Sequence, residues 1–172
     1  MMSPELVLGL TLGLGTAAAL SIAAVVSSQK DSAEHQAVLQ HGLAPITVLG
    51  APSTDAMVDI GQGLYAANCA SCHGAELEGE PNWRQPGPNG QMPAPPHDAS
   101  GHTWHHPDQD LIAIIKHGIG AVQNGRHSRM PSFDEKLGDA QIEAILAFIK
   151  SSWPDHARRL QQNVTREAGS NL

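Results

Sequence analysis

The chain of 172 residues has two cysteines, and both stand in one run, Cys69-Ala70-Ser71-Cys72-His73. No other feature of the sequence constrains the fold as strongly. A Cys-x-x-Cys-His spacing is the attachment signature of a c-type haem. Each thiol can bond one vinyl group of the same porphyrin, and the histidine that follows falls under the iron as its proximal ligand. Two other uses of these residues stay open on spacing alone. A thioredoxin-like redox pair belongs beside a strand–helix–strand pattern, and no strand-rich run lies nearby. A zinc site needs two further ligands, commonly a second cysteine pair. This chain has no such pair, although histidines can stand in. With no third cysteine, this sequence has no room for a second haem of the same kind or for a structural disulfide elsewhere.

Residues 6–26 carry no charge. A helix of that length spans about 31 Å, close to the roughly 30 Å of a bilayer core. A cleaved signal peptide has a shorter apolar stretch, a basic start and a small-residue cleavage site. Here Glu5 is the charge ahead of the span, and Ser21-Ile22-Ala23 is a weak site. The expectation is a retained transmembrane anchor over residues 1–28, with a removed signal segment as the alternative. Gly9, Gly13, Ala17 and Ser21 recur at four-residue spacing, a stripe on which a second helix can pack closely in lipid. Residues 29–54 read as a flexible linker, mixing Ser, Gln, His, Ala and Pro with little periodicity. The patch Ile46-Thr47-Val48-Leu49 is the part of it that could dock onto the following domain.

That domain is expected over residues 55–154, followed by a C-terminal tail over 155–172 that extends briefly and then frays. A first helix is predicted over 56–68, capped by Thr54 or Asp55, with Ile60, Leu64 and Cys69 at rough helical spacing beside Gly61 and Tyr65. A middle helix is predicted over 107–117, with Pro107 at its first position, Asp108 and Asp110 in its first turn, and Lys116-His117-Gly118 at its end. A last helix starts at Asp139 as N-cap, carries the stripe Ile142, Ile145, Leu146, Ile149 and Trp153, and stops or kinks at Pro154. With no strand pattern, the class is all-α.

On these residues the chain resembles the class I c-type cytochromes, in their small bacterial membrane-anchored or periplasmic monohaem form. The resemblance covers about 100 residues and rests on Cys69-x-x-Cys72-His73 and on Met130-Pro131-Ser132-Phe133 downstream. It implies one covalent haem c bound by Cys69, Cys72, His73 and Met130, with His73 and Met130 as the axial ligands of the iron. Met92-Pro93 is a rival for the second ligand. Gly61 and Tyr65 match the family's small and aromatic residues on the first helix, and Ile145 and Phe148 match the apolar and aromatic pair on the last. The resemblance implies that these four meet where the two helices cross, with Tyr65 part of the haem environment. It also implies a proline carbonyl that accepts the second N–H of His73; Pro86 is the first candidate and Pro88 the second. A tryptophan that bonds a haem propionate is expected in the same way. Trp104 is the candidate, with the Asn82-Trp83-Arg84 run as a rival.

Ten histidines are present, and His97, His102, His105 and His106 cluster. They could mark a second copper or zinc site; the plainer reading is a solvated loop along the haem edge. Over residues 55–154 acidic side chains outnumber basic ones 12 to six. That balance argues against nucleic acid, which asks for a basic patch, and fits docking to a complementary protein surface. The functional expectation is therefore electron transfer rather than catalysis. The chain would carry electrons between respiratory or photosynthetic membrane complexes, from a bc-type complex to a terminal oxidase, with its haem domain in the periplasm and its anchor in a bacterial inner membrane. The alternatives are a soluble periplasmic protein, a cytochrome subunit of a periplasmic oxidoreductase or oxidase complex, and a zinc- or copper-binding module.

Overall fold

The computed structural model describes residues 42–122 and 129–170. The anchor expected over residues 1–28 lies outside them. Among the described residues no helix is long and apolar enough to cross a membrane. A two-stranded hairpin, β1 (Thr47–Val48) and β2 (Ala51–Pro52), leads into α1 (Asp55–Asn68), the one-turn α2 (Ala70–His73), a 3₁₀ turn (Thr103–His105), α3 (Asp108–His117), α4 (Ile119–Val122), α5 (Asp139–Ser151) and α6 (Asp155–Ser170). The class is helical, as expected, apart from the hairpin.

Local chemistry sets the helix ends. Thr54 caps α1 by accepting the Met57 N–H on its hydroxyl at 3.2 Å. Pro107 precedes α3 in an extended conformation, Asp108 and Asp110 complement the positive end of that helix, and Gly118 at φ 74° ends it. The cap of α5 is Gly138, one residue earlier than expected. Asp139 is instead the first helical residue, and its carboxylate is engaged by Lys116 at 2.6 Å.

The core forms where α1 crosses α5. Ile142, Ile145, Ile149 and Trp153 are buried with Tyr65, Leu77, Phe133 and Leu137. The stripe predicted on the last helix is the one that faces inward. On α1, however, the inward face is Gly61 and Tyr65, while Ile60 is exposed. A methyl group added at Gly61 would overlap the Ala144 carbonyl and meet the Phe148 Cβ at 3.0 Å. The glycine is thus what lets the two backbones touch. Tyr65 and Phe148 pack tilted at 5.3 Å between ring centroids, and Ile145 is buried in the same cluster.

Two segments outside residues 55–154 pack on the domain. Val48, in the patch of the expected linker that could dock there, is buried with Leu111, Leu146 and Ala147. Residues after Pro154 form the 16-residue α6, with Ala157, Gln161 and Thr165 buried, where fraying was expected. Both ends are held by a polar cluster inside the domain. Lys150 and Asp108, 2% and 1% exposed, form an ion pair at 2.5 Å. Lys150 also donates to the Thr47 carbonyl at 2.6 Å, and Asp108 accepts the Leu49 N–H at 2.7 Å and the Gln161 amide at 2.7 Å. The hairpin and α6 are therefore fastened to the starts and ends of α3 and α5 by charge-assisted bonds.

Candidate haem site

The attachment motif is held from both sides. α1 delivers Cys69 as its C-cap, with the Cys69 N–H donating to the Tyr65 carbonyl at 2.8 Å. One more helical turn, α2, then carries Cys72 and His73. Gly74 at φ 82° turns the chain away, and the Tyr65 hydroxyl donates to its carbonyl at 2.9 Å. Cys69 is half-buried and Cys72 exposed, and neither is in a disulfide. Burial beside the Cys72 thiol pushes the Cys69 thiol up to about 11. Burial likewise raises the Tyr65 phenol well above its usual range.

His73 is buried, with Nδ1 2.9 Å from the Pro95 carbonyl. Burial lowers its pKa, and the bond to Pro95 partly opposes this. The imidazole is thus neutral, with Nδ1–H donated and Nε2 left as the electron-pair donor, the state an iron ligand requires. The expected partner, Pro86, is exposed on the surface. The reason is an excursion of the chain. Glu80 and Ala94 pair through backbone and side chain, the Glu80 N–H to the Ala94 carbonyl at 2.8 Å and the Ala94 N–H to Glu80 Oε2 at 2.6 Å. Residues 81–93 therefore form a closed loop that leaves the site and returns. Counting along the sequence from His73 lands on this loop, whereas Pro95 lies just past its closure.

The run from His97 to His106 is not uniformly solvated. The His97 ring stacks on His73 at 4.0 Å, its Nδ1 is 2.9 Å from the Thr103 hydroxyl, and its carbonyl accepts the Trp153 indole N–H at 2.7 Å. Burial holds its pKa well below the usual histidine value. His102 stacks on Trp83 and His105 on Trp104. Among the described residues no three His, Cys, Asp or Glu side chains converge as a metal site.

Met130 is half-buried, on a loop that begins beside Gly118 and leads into buried Phe133. Its neighbour Arg129 binds Glu80 at 2.5 Å, close to the motif in sequence. The rival Met92 lies on the excursion and is 40% exposed.

The Cytochrome c family model matches residues 58–153, from the first turn of α1 to Trp153. The chain belongs to the cytochrome c family. Its cytochrome c domain is 31% identical over 101 residues to the cbb3-type cytochrome c oxidase subunit FixP of Sinorhizobium medicae (strain WSM419), covering 59% of this chain and 29% of that protein. It is 27% identical over 106 residues to the FixP of Rhizobium meliloti (strain 1021), covering 62% and 31% of the two chains. Against the CcoP subunit of Rhodobacter capsulatus it is 26% identical over 108 residues, covering 62% and 33%. The chain thus spans about a third or less of the length of these relatives. No solved structure matches it.

The family implies a covalent haem c, and the residues fit one. Both thiols of the motif stand on adjoining helical turns, and His73 offers Nε2. Among the described residues the buried Trp104 indole N–H finds no acceptor. An unpaired buried donor costs free energy unless a partner arrives, and a propionate is such a partner. Trp104 was the expected donor; the rival Trp83 has Arg84 over its ring at 4.1 Å and His102 stacked on it. Residues that the sequence did not single out for the site are Pro95 and the stacking role of His97. The Pro95-Pro96-His97 run was the available signal.

Proposed function

We propose that this cytochrome c domain is an outer-sphere electron carrier, with one haem c per chain and a terminal oxidase as its electron acceptor. The observation that carries the reading is the His73 Nδ1–Pro95 contact beside the two motif thiols, which orients one strong proximal ligand. Cys69 and Cys72 would hold the group by thioethers, His73 and Met130 would bind its iron, and Trp104 would bond a propionate. When bound, the haem supplies a one-electron ferric–ferrous couple. The chain's own residues keep the imidazole oriented, supply a soft thioether that favours the ferrous state, and exclude water with Tyr65, Phe133 and their neighbours. Met130 as the second ligand would close the iron to small molecules, and this would separate a carrier from a ligand-binding or catalytic haem protein.

The oxidase assignment leans on the relatives, which are named as oxidase subunits. The same names favour a second reading, in which this chain is itself a cytochrome subunit of such a complex. A bc-type complex is the proposed donor, and residues 6–26 the proposed anchor of a periplasmic domain in a bacterial inner membrane. The test uses the purified full-length holoprotein, reduced with ascorbate and mixed with oxidase-containing membranes. Cyanide-sensitive reoxidation is expected. Absence of reoxidation, or ready binding of carbon monoxide by the ferrous wild type, would overturn the carrier reading. Stoichiometric co-purification with an oxidase would favour the subunit reading.

A further inference from the structure

The Glu80 carboxylate stands between the two sides of the haem site. Its Oε2 accepts the Ala94 N–H at 2.6 Å, and the next residue, Pro95, accepts from His73. Both carboxylate oxygens also receive Arg129 Nη2, at 2.7 Å and 2.5 Å, and the next residue there is Met130. One side chain therefore touches the residue beside the proximal histidine's acceptor and the residue beside the distal thioether. The Met130 segment needs such a tie, because residues 129–138 lie outside any helix, between α4 and α5. On its far side the segment is held to the end of α3, where the Phe133 N–H reaches the Ile115 and Lys116 carbonyls at 3.1 Å and the Ser132 hydroxyl also meets the Lys116 carbonyl. On the near side the Arg129–Glu80 pair performs that task. Both contacts run from one guanidinium nitrogen to one carboxylate, a charge-assisted contact that fixes where Arg129 lies.

We infer that Glu80 is a positioning residue for the distal ligand, a staple that holds Met130 in register with the His73 side by gripping Arg129 while bonded to the Ala94–Pro95 segment. The inference rests on the assignment of Met130 as the second axial ligand. The pair is partly exposed, with side chains 53% and 31% accessible, so its strength is modest and sensitive to salt. Its effect falls on how readily Met130 yields to a competing ligand.

The experiment titrates the ferric holoprotein with imidazole, which binds iron when the methionine leaves. It compares wild type, Glu80→Gln, Arg129→Gln, the double variant and Met130→Ala, all matched for haem content. Glu80→Gln keeps an acceptor for the Ala94 N–H, so the excursion stays closed. Each single variant is expected to raise the apparent imidazole affinity by about fivefold, with the double variant no higher than either single. Raising salt from about 0.01 M to about 1 M cuts the screening length from about 30 Å to about 3 Å. It should move wild type toward Glu80→Gln and leave that variant in place. Single variants within about twofold of wild type, or effects that simply add, would overturn the staple, provided Met130→Ala binds imidazole freely. If Met130→Ala titrates like wild type, the ligand assignment itself fails, and the staple with it.

Discussion

Gly61 lies so close to the Ala144 carbonyl that the two helices carrying them could not cross if Gly61 had a Cβ. That crossing sets where Tyr65 and Cys69 emerge, and so where the attachment motif begins. Gly61→Ala is expected to destabilise the holoprotein by about 1–3 kcal/mol through overpacking. Gly63 on the same helix has open space around it, so Gly63→Ala is expected to be neutral or slightly stabilising through helix propensity. Denaturant midpoints of the two variants check the contrast. Equal effects would mean that the crossing is not the constraint.

Features that repeat within one element were legible in the sequence. The stripe from Ile142 to Ile149 on α5 announced its buried face by period, and the spacing of Cys69, Cys72 and His73 put them on adjoining helical turns. Features made by contacts between distant segments were not. Pro95 reaches His73 because residues 81–93 loop out, and no count along the chain reveals a loop that closes on itself. α6 buries Gln161 and Thr165, polar residues that carry no hydrophobic period. Lys150, in the last turn of α5, points inward to Asp108, a partner 42 residues away in sequence.

Met130 and Met92 separate cleanly by experiment. Met130→Ala is expected to abolish the weak sulfur-to-iron absorption at the red end of the ferric spectrum, lower the reduction potential and admit carbon monoxide to the ferrous iron. Met92→Ala, on the exposed excursion, is expected to change none of these. The reverse pattern would move the ligand to Met92.

Asp108 and Lys150 are a buried pair, and removing one member leaves the other charged and uncompensated. Lys150→Met is expected to cost about 3–5 kcal/mol. Adding Asp108→Asn is expected to restore about half of that loss, because the stranded charge is gone. Urea midpoints of the holoprotein measure both. A loss below about 1 kcal/mol for the single change would equate this pair with a surface one.

The anchor proposed over residues 6–26 has a direct test. The native protein is expected to stay with carbonate-washed membranes and to keep these residues on N-terminal sequencing. A mature start beyond about residue 24 would show a removed signal instead. Gly13→Leu is expected to weaken association with a partner helix while leaving the haem spectrum intact, since bulk spoils close packing of small residues.

Asp155, at the start of α6, links that helix to the chain ahead of the hairpin. Its carboxylate accepts the Ala44 N–H and, at 2.7 Å, the Arg159 Nε–H. These two donors hold its carboxyl below the ordinary value of 3.8. The unfolded chain therefore takes up this proton at a higher pH than the folded one. The stabilisation is fully present above 3.8 and is lost as pH falls through the folded value. Asp155→Asn is expected to be less stable than wild type at neutral pH, with the gap closing on acidification below 3.8. The protection of the Ala44 amide against exchange, relative to its unstructured rate at each pH, should fall over the same window in wild type and be low throughout in the variant. A gap that stays constant with pH would show that the Asp155 charge contributes nothing to holding Ala44.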